Sequence, residues 1–165
     1  MEEYGLRALL CLARKVGDND HDAEGVTIPE LADAEGLSGP YASKIMRKLR
    51  QGGLVSADRG RTGGYHLTRS PEQITLLQAL EALGGPLRAV DHCDRYVGAL
   101  DECVHKSECS IRGAFGGFID YMEKILAGAT LADLTRREAE VKQRINESAE
   151  AIMGATIGRY PASRD

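Results

Sequence analysis

Residues 27–68, TIPELADAEGLSGPYASKIMRKLRQGGLVSADRGRTGGYHLT, leave few folds open, because nearly every turn carries its own start and stop signals. Thr27 and Glu30 have the spacing of a capping box, and Pro29 fits a first helical turn, where a missing N–H costs nothing. Leu31 and Ala32 then face inward, and Gly36 supplies the turn out. Ser38 is placed to cap a second helix that Gly52-Gly53 ends, with Ile45, Met46 and Leu49 as its buried stripe. Tyr41, Ser43, Lys44, Arg47 and Lys48 are left on or near its outer face. Two strand-like runs follow, 54–57 and 65–68, around a turn carrying Arg59 and Arg61, where Gly60, Gly63 and Gly64 are predicted to adopt positive φ. A short helix, a tight turn, a basic helix and a hairpin in this order predict a winged helix-turn-helix.

The charge pattern gives that scaffold a ligand. Between Tyr41 and Arg69 seven basic residues face one acid, Asp58, so this segment carries +6 and the remainder −10 of a chain whose net charge is −4. A local basic surface on an acidic body is how a modest double-stranded DNA footprint looks. The second helix of such a motif lays its N-terminal residues against base edges, and an arginine at a wing tip reaches a narrow minor groove. The expected DNA-contacting set is Thr27, Ser38, Tyr41, Ser43, Lys44, Arg47 and Lys48, with Arg59, Arg61, Gly63, Gly64 and Tyr65 from the wing.

Before this unit, Leu6, Leu9, Leu10, Ala13 and Val16 recur at helical spacing, with Cys11 as a small core residue. After it, Thr75 and Gln78 repeat the capping spacing, Leu76, Leu77, Leu80 and Leu83 pack the helix back onto the wing unit, and Gly84-Gly85-Pro86 stops it. With no Trp and only two Phe, the core must be aliphatic. Both Phe fall on SIRGAFGGFIDYMEKILAG, residues 110–128, where Ile111, Phe115, Phe118, Ile119, Met122, Ile125 and Leu126 make a continuous seam. Gly113, Gly116 and Gly117 each cost about 1 kcal/mol within a helix, a cost that makes sense where another backbone comes close. This predicts a long helix pairing with its copy in a homodimer that reads a pseudo-palindromic site; packing within its own subunit is the alternative.

The fold class expected is therefore mainly α. A winged helix-turn-helix unit spans 1–87, a cysteine segment 88–109, dimerisation and C-terminal helices 110–150, and a flexible tail 151–165. No apolar run approaches a membrane span and the N-terminal residues do not read as a signal peptide, which points to the cytoplasm and to reduced thiols. No supported catalytic motif appears, so an enzyme with a small-molecule substrate is not expected.

Three of the four cysteines, Cys93, Cys103 and Cys109, lie within HCDRYVGALDECVHKSEC at C-x9-C-x5-C spacing. Three clustered thiolates suit an iron–sulfur cluster, [2Fe-2S] or [4Fe-4S], completed by a fourth ligand such as His105, His92 or a small molecule. Zinc in a Cys3His site and a thiol switch between Cys103 and Cys109 are the competing chemistries. An electron carrier is a further alternative, against which the basic helix and the incomplete thiolate set both speak.

The segments EYGLRALLCLA, LADAEGLSGPYASKIMRKLRQGGLV, RGRTGGYHL, ITLLQALEALGGPL, the three cysteines and TLADL occur in that order. Together they resemble the Rrf-two family of bacterial transcription regulators (the IscR, NsrR, RirA and RsrR group) from about Glu3 to Leu134. The resemblance implies a homodimeric winged-helix repressor or activator, repression being the expected direction. In many members three cysteines per subunit hold an iron–sulfur cluster whose state sets DNA affinity. Some members place a fourth-ligand His three residues after the last cysteine, where this chain has Arg112; others take a carboxylate from the partner's first helix, a place matched by Glu3. The first cysteine gap is longer than the family's usual one, and members usually begin with several more residues.

Overall fold

The structure is a computed structural model that describes residues 1–18, 25–58, 60, 63–84, 103–105 and 108–157. Helix α1 (Glu2–Asp18) is followed by α2 (Ile28–Glu35) and α3 (Gly39–Gln51). Strands β1 (Val55–Asp58) and β2 (Gly64–Leu67) form an antiparallel hairpin in the register Val55↔Leu67 to Asp58↔Gly64. A 3-10 turn (Pro71–Gln73) leads into α4 (Leu76–Leu83). The long α5 (Ser110–Gly128), the single-turn α6 (Leu131–Leu134) and α7 (Glu138–Ile157) complete the described elements. The expected mainly helical fold with a two-stranded wing is what forms.

Local signals start these elements where the sequence places them. The Thr27 hydroxyl accepts from the Glu30 amide while the Glu30 carboxylate accepts from the Thr27 N–H at 2.7 Å. The same reciprocal box forms between Thr75 and Gln78. Ser38 occupies the N-cap position of α3, but its side chain makes no capping bond.

One aliphatic core holds the first five elements and α4 together. Ala8, Leu9, Leu12 and Ala13 of α1 meet Leu31 of α2, Ala42, Ile45, Met46 and Leu49 of α3, Leu54 and Val55, Ile74, Ala79 and Leu83, and Leu131 from α6. Each fully buried Leu, Ile, Val or Met side chain among them contributes about 1.5–3 kcal/mol relative to exposure. Cys11 packs half-buried against this core, and burial pushes its thiol up. That suits an inert packing residue.

Several details depart from the sequence expectation. The buried side of α1 centres on Ala8, Leu9 and Leu12, while Leu6 and Leu10 are only half-buried. On α4 it centres on Leu76, Ala79 and Leu83, with Leu77 and Leu80 half-buried. Both strands are displaced by one residue from the runs expected, β1 ending later and β2 starting earlier. Of the three wing glycines predicted at positive φ only Gly60 has it, at 130°. Gly64 is required for another reason: a Cβ there would lie 2.5 Å from the Gly25 backbone, beside the Val26↔Tyr65 bridge that ties the wing to the residues preceding α2. The tail expected from residue 151 is helical as far as Ile157.

Gly5 went unnoticed in the sequence. It is buried within α1, and a Cβ there would overlap the side chain of Leu83. Gly5→Val should therefore lower stability by about 1–3 kcal/mol through overpacking, read as a lower thermal midpoint. Gly39→Ala, with open space around its Cβ position, should leave the midpoint nearly unchanged.

Candidate nucleic-acid interface and cysteine segment

Helix α3 carries four basic residues and no acid, and its buried stripe decides which of its residues face out. Ser43, Lys44 and Arg47 are exposed on the side opposite that stripe, and Ser38 is exposed at the N-cap. Tyr41 is half-buried, its ring edge-on to Tyr4 of α1 at 6.0 Å. The remaining expected contacts have other engagements. Thr27 is half-buried and uses its hydroxyl in the capping box, and Tyr65 is half-buried with its backbone N–H and C=O both bonded to Val26. Lys48 is half-buried, and its ammonium donates to the Leu83 carbonyl at 2.7 Å. Gly63 and Gly64 are half-buried at the end of the hairpin. Arg59 and Arg61 lie outside the described residues.

The single acid of the basic segment, Asp58, sits on the wing with its carboxylate 3.6 Å from His66 Nε2. His66 was not singled out from the sequence. Only the β-hairpin register, which sets it opposite Ser56, brings the two within reach.

In the cysteine segment, Cys103 and Cys109 are free, half-buried thiols. Cys109 is the N-cap of α5, its sulfur accepting from the Arg112 amide at 3.4 Å. His105 is exposed. Cys93 and His92 lie outside the described residues, and among the described residues no three His, Cys, Asp or Glu side chains come together as a metal-binding group. Two soft, accessible sulfur donors are thus what this region offers a metal, a donor chemistry that suits iron–sulfur or zinc and remains incomplete within the described part. Glu3, at the exposed start of α1, accepts from Arg7 at 3.0 Å, and Arg7 also lies 3.7 Å from Glu35.

Helix α5 has no fully buried residue. Ile111, Phe115, Phe118 and Met122 are exposed at 62%, 43%, 66% and 42%, so much of its apolar seam lies at the surface. The foot of α5 is fastened to α4 by two backbone bonds, Leu76 N–H to Ala129 O at 2.9 Å and Leu131 N–H to Ile74 O at 2.8 Å. Beside this joint Asp133 is buried and capped by Thr130, and Arg144 of α7 pairs with it. Burial pushes the Asp133 carboxyl up, but the Thr130 amide and hydroxyl and the Arg144 guanidinium outweigh it and hold the group below its ordinary value.

A half-exposed basic recognition helix beside a two-stranded wing defines a winged-helix DNA-binding protein. The family described as "Rrf2: Iron-dependent Transcriptional regulator" matches over residues 2–137, and the chain belongs to that family of transcription regulators. It is 31% identical over 145 residues to the transcriptional regulator NsrR of Geobacillus kaustophilus, covering 88% of this chain and 93% of that one. Its fold is similar to that of CymR, the global cysteine regulator of B. subtilis, with TM-score 0.61, 28% identity, and coverage of 81% of this chain and 92% of that one. IscR of T. potens is similar too, with TM-score 0.60, 28% identity, and 81% of each chain covered. No helix among the described residues is long and apolar enough to cross a membrane.

The Asp133 cluster has a pH signature. A carboxyl whose folded pKa is depressed contributes stability that is fully present above its ordinary value, about 3.9, and is lost as pH falls through the folded value. The thermal midpoint should therefore decline below about pH 4, and Asp133→Asn should both lower it at neutral pH and flatten that acid decline.

Proposed function

We propose that the chain is a homodimeric regulator of the cytoplasm whose affinity for double-stranded promoter DNA is set by an iron–sulfur cluster at Cys93, Cys103 and Cys109. The observation that carries the DNA half is the exposed face of α3, where Ser43, Lys44 and Arg47 project from a helix with no acidic residue. Lys44 and Arg47 are donors for phosphates and guanine edges, and the uncapped N-terminus of α3 at Ser38 offers N–H groups to a phosphate. Arg59 and Arg61, which the sequence places in the turn of the wing, are proposed to add to these contacts. Pairing of two copies along the seam of α5 covers Phe115, Phe118 and Met122 and relates two recognition helices by a two-fold axis, the symmetry of a pseudo-palindromic site.

For the sensing half, the support is two accessible free thiols, one capping the helix proposed to dimerise, and the family's description as iron-dependent. Such a cluster supplies a centre that changes charge or loses iron in response to oxidants, nitric oxide or iron supply. Glu3 is proposed as the fourth ligand from the partner subunit, its present partner being Arg7 on the protein surface; His105 is the alternative. Release of that carboxylate frees the start of α1, and a coupling of about 1–3 kcal/mol is enough for a working switch. Repression is the direction proposed.

A second reading has its own support. Cys103 and Cys109 are both free and accessible, and a similar fold belongs to a regulator described by cysteine control. A metal-free thiol switch or a zinc-containing regulator uses the same residues.

Anaerobic purification followed by an absorption spectrum and iron analysis separates these readings. The cluster predicts a coloured, iron-containing protein, bleached by Cys109→Ala and altered by Glu3→Ala. A colourless, iron-free protein overturns it. For DNA, Lys44→Ala should weaken binding to a duplex selected by the wild-type chain from a random-sequence pool, and should flatten the salt dependence by about one phosphate contact.

A further inference from the structure

Lys48 lies on the recognition helix, yet its charge is turned away from the exposed face. Its Nζ donates to the main-chain carbonyl of Leu83, the last residue of α4, at 2.7 Å. Leu83 is where three parts of the chain meet. Its carbonyl receives Lys48 from α3, and its side chain, 1% exposed, fills the space left by Gly5 in α1. Beyond it, Gly84 closes α4 at φ 88° and leads along the chain into the segment that holds the cysteines. A Cβ at Gly84 would lie 2.8 Å from Lys48 Nζ, so a side chain there would make the ammonium shift.

The physical logic favours that place. The last carbonyls of a helix lack intrahelical partners and carry the negative end of its dipole, so an ammonium there is doubly favoured. A lysine reaching for phosphate gains most when its charge stands in solvent, facing the duplex. The start of α1 also reaches α3 itself, through the Tyr4–Tyr41 edge contact. Helix α5, capped by Cys109, also packs on α4. The end of α4 therefore touches the recognition helix and the first helix, and the sequence runs on from it toward the thiols.

The geometry assigns Lys48 a positioning role: it ties α3 to the end of α4 and sets the recognition helix from there, in place of neutralising a phosphate. As the link through which the cysteine segment bears on DNA affinity, this rests on the sensing reading above. A displacement of the end of α4 acts on α3 through the ammonium–carbonyl bond and on α1 through the Gly5–Leu83 contact.

The test is a salt series of binding to the pool-selected duplex, made with the full chain as purified anaerobically and again after iron removal. Wild type is compared with Lys48→Met, Lys48→Arg and Lys44→Ala. Lys44→Ala should lower the slope of log affinity against log salt by about one. Lys48→Met should leave that slope at the wild-type value, lower the affinity itself, and shrink the ratio between the two states, which is about 5–150-fold in a working switch. Lys48→Arg, still able to donate to a carbonyl, should restore both. A slope lowered by about one in Lys48→Met, as for a phosphate contact, overturns the assignment, and so does wild-type affinity in that variant. Equal affinity of the wild type in both states overturns the sensing reading alone, since the slope and affinity of Lys48→Met still decide the role of Lys48. Should Lys48→Met fail to fold, Lys48→Gln is measured in its place with the same expected and overturning results.

Discussion

Ala42, Ile45, Met46 and Leu49 are fully buried, and their burial fixes which side of α3 meets solvent. An α-helix has no free rotation once such a stripe is seated, because turning it brings polar groups into an aliphatic core. Ser43, Lys44 and Arg47 face outward as a direct consequence. The same core contains Leu31 of α2 and Val55 of β1, so the turn before the recognition helix and the wing after it are referred to one packed centre. The Val26↔Tyr65 bridge then holds the hairpin against the residues leading into α2. Wing and recognition helix are thus held by one core.

The remainder of the chain is organised differently. The winged unit shares one aliphatic core, which Leu131 of α6 also enters, whereas α5 leaves much of its apolar seam exposed and packs on α4. An uncovered seam of this kind on a helix supports intersubunit packing. The Ile74–Leu131 and Leu76–Ala129 bonds, with the Asp133–Arg144 pair beside them, make the foot of α5 a fixed joint with α4. Cys109 caps the other end of the same helix. One helix therefore runs from a thiol to the helix that packs on the recognition helix.

Much of this was legible in the residues alone because the signals are local. The Thr27–Glu30 and Thr75–Gln78 boxes involve residues three apart, and the spacings of Ile45, Met46 and Leu49 or of Ile111 to Leu126 report helices without reference to anything distant. What was missed depends on neighbours far along the chain. Gly64 looked like a turn residue, but its role is set by the Gly25 backbone against which it lies. Gly5 had no local reason to be glycine until Leu83 was placed beside it. Lys48 has the sequence context of a phosphate contact, and the end of α4, 35 residues away, gives it another partner.

By itself the sequence determined the order and nature of the elements, the basic face and the family, because capping, periodicity and charge are properties of short windows. Tertiary structure decided which donors on that face remain available. It turned Lys48 to the carbonyl of Leu83, held the Tyr65 backbone against Val26, and left Ser43, Lys44 and Arg47 in solvent. The physical reason is that a side chain's nearest hydrogen-bond partner is fixed by packing between elements, which no window of neighbouring residues contains.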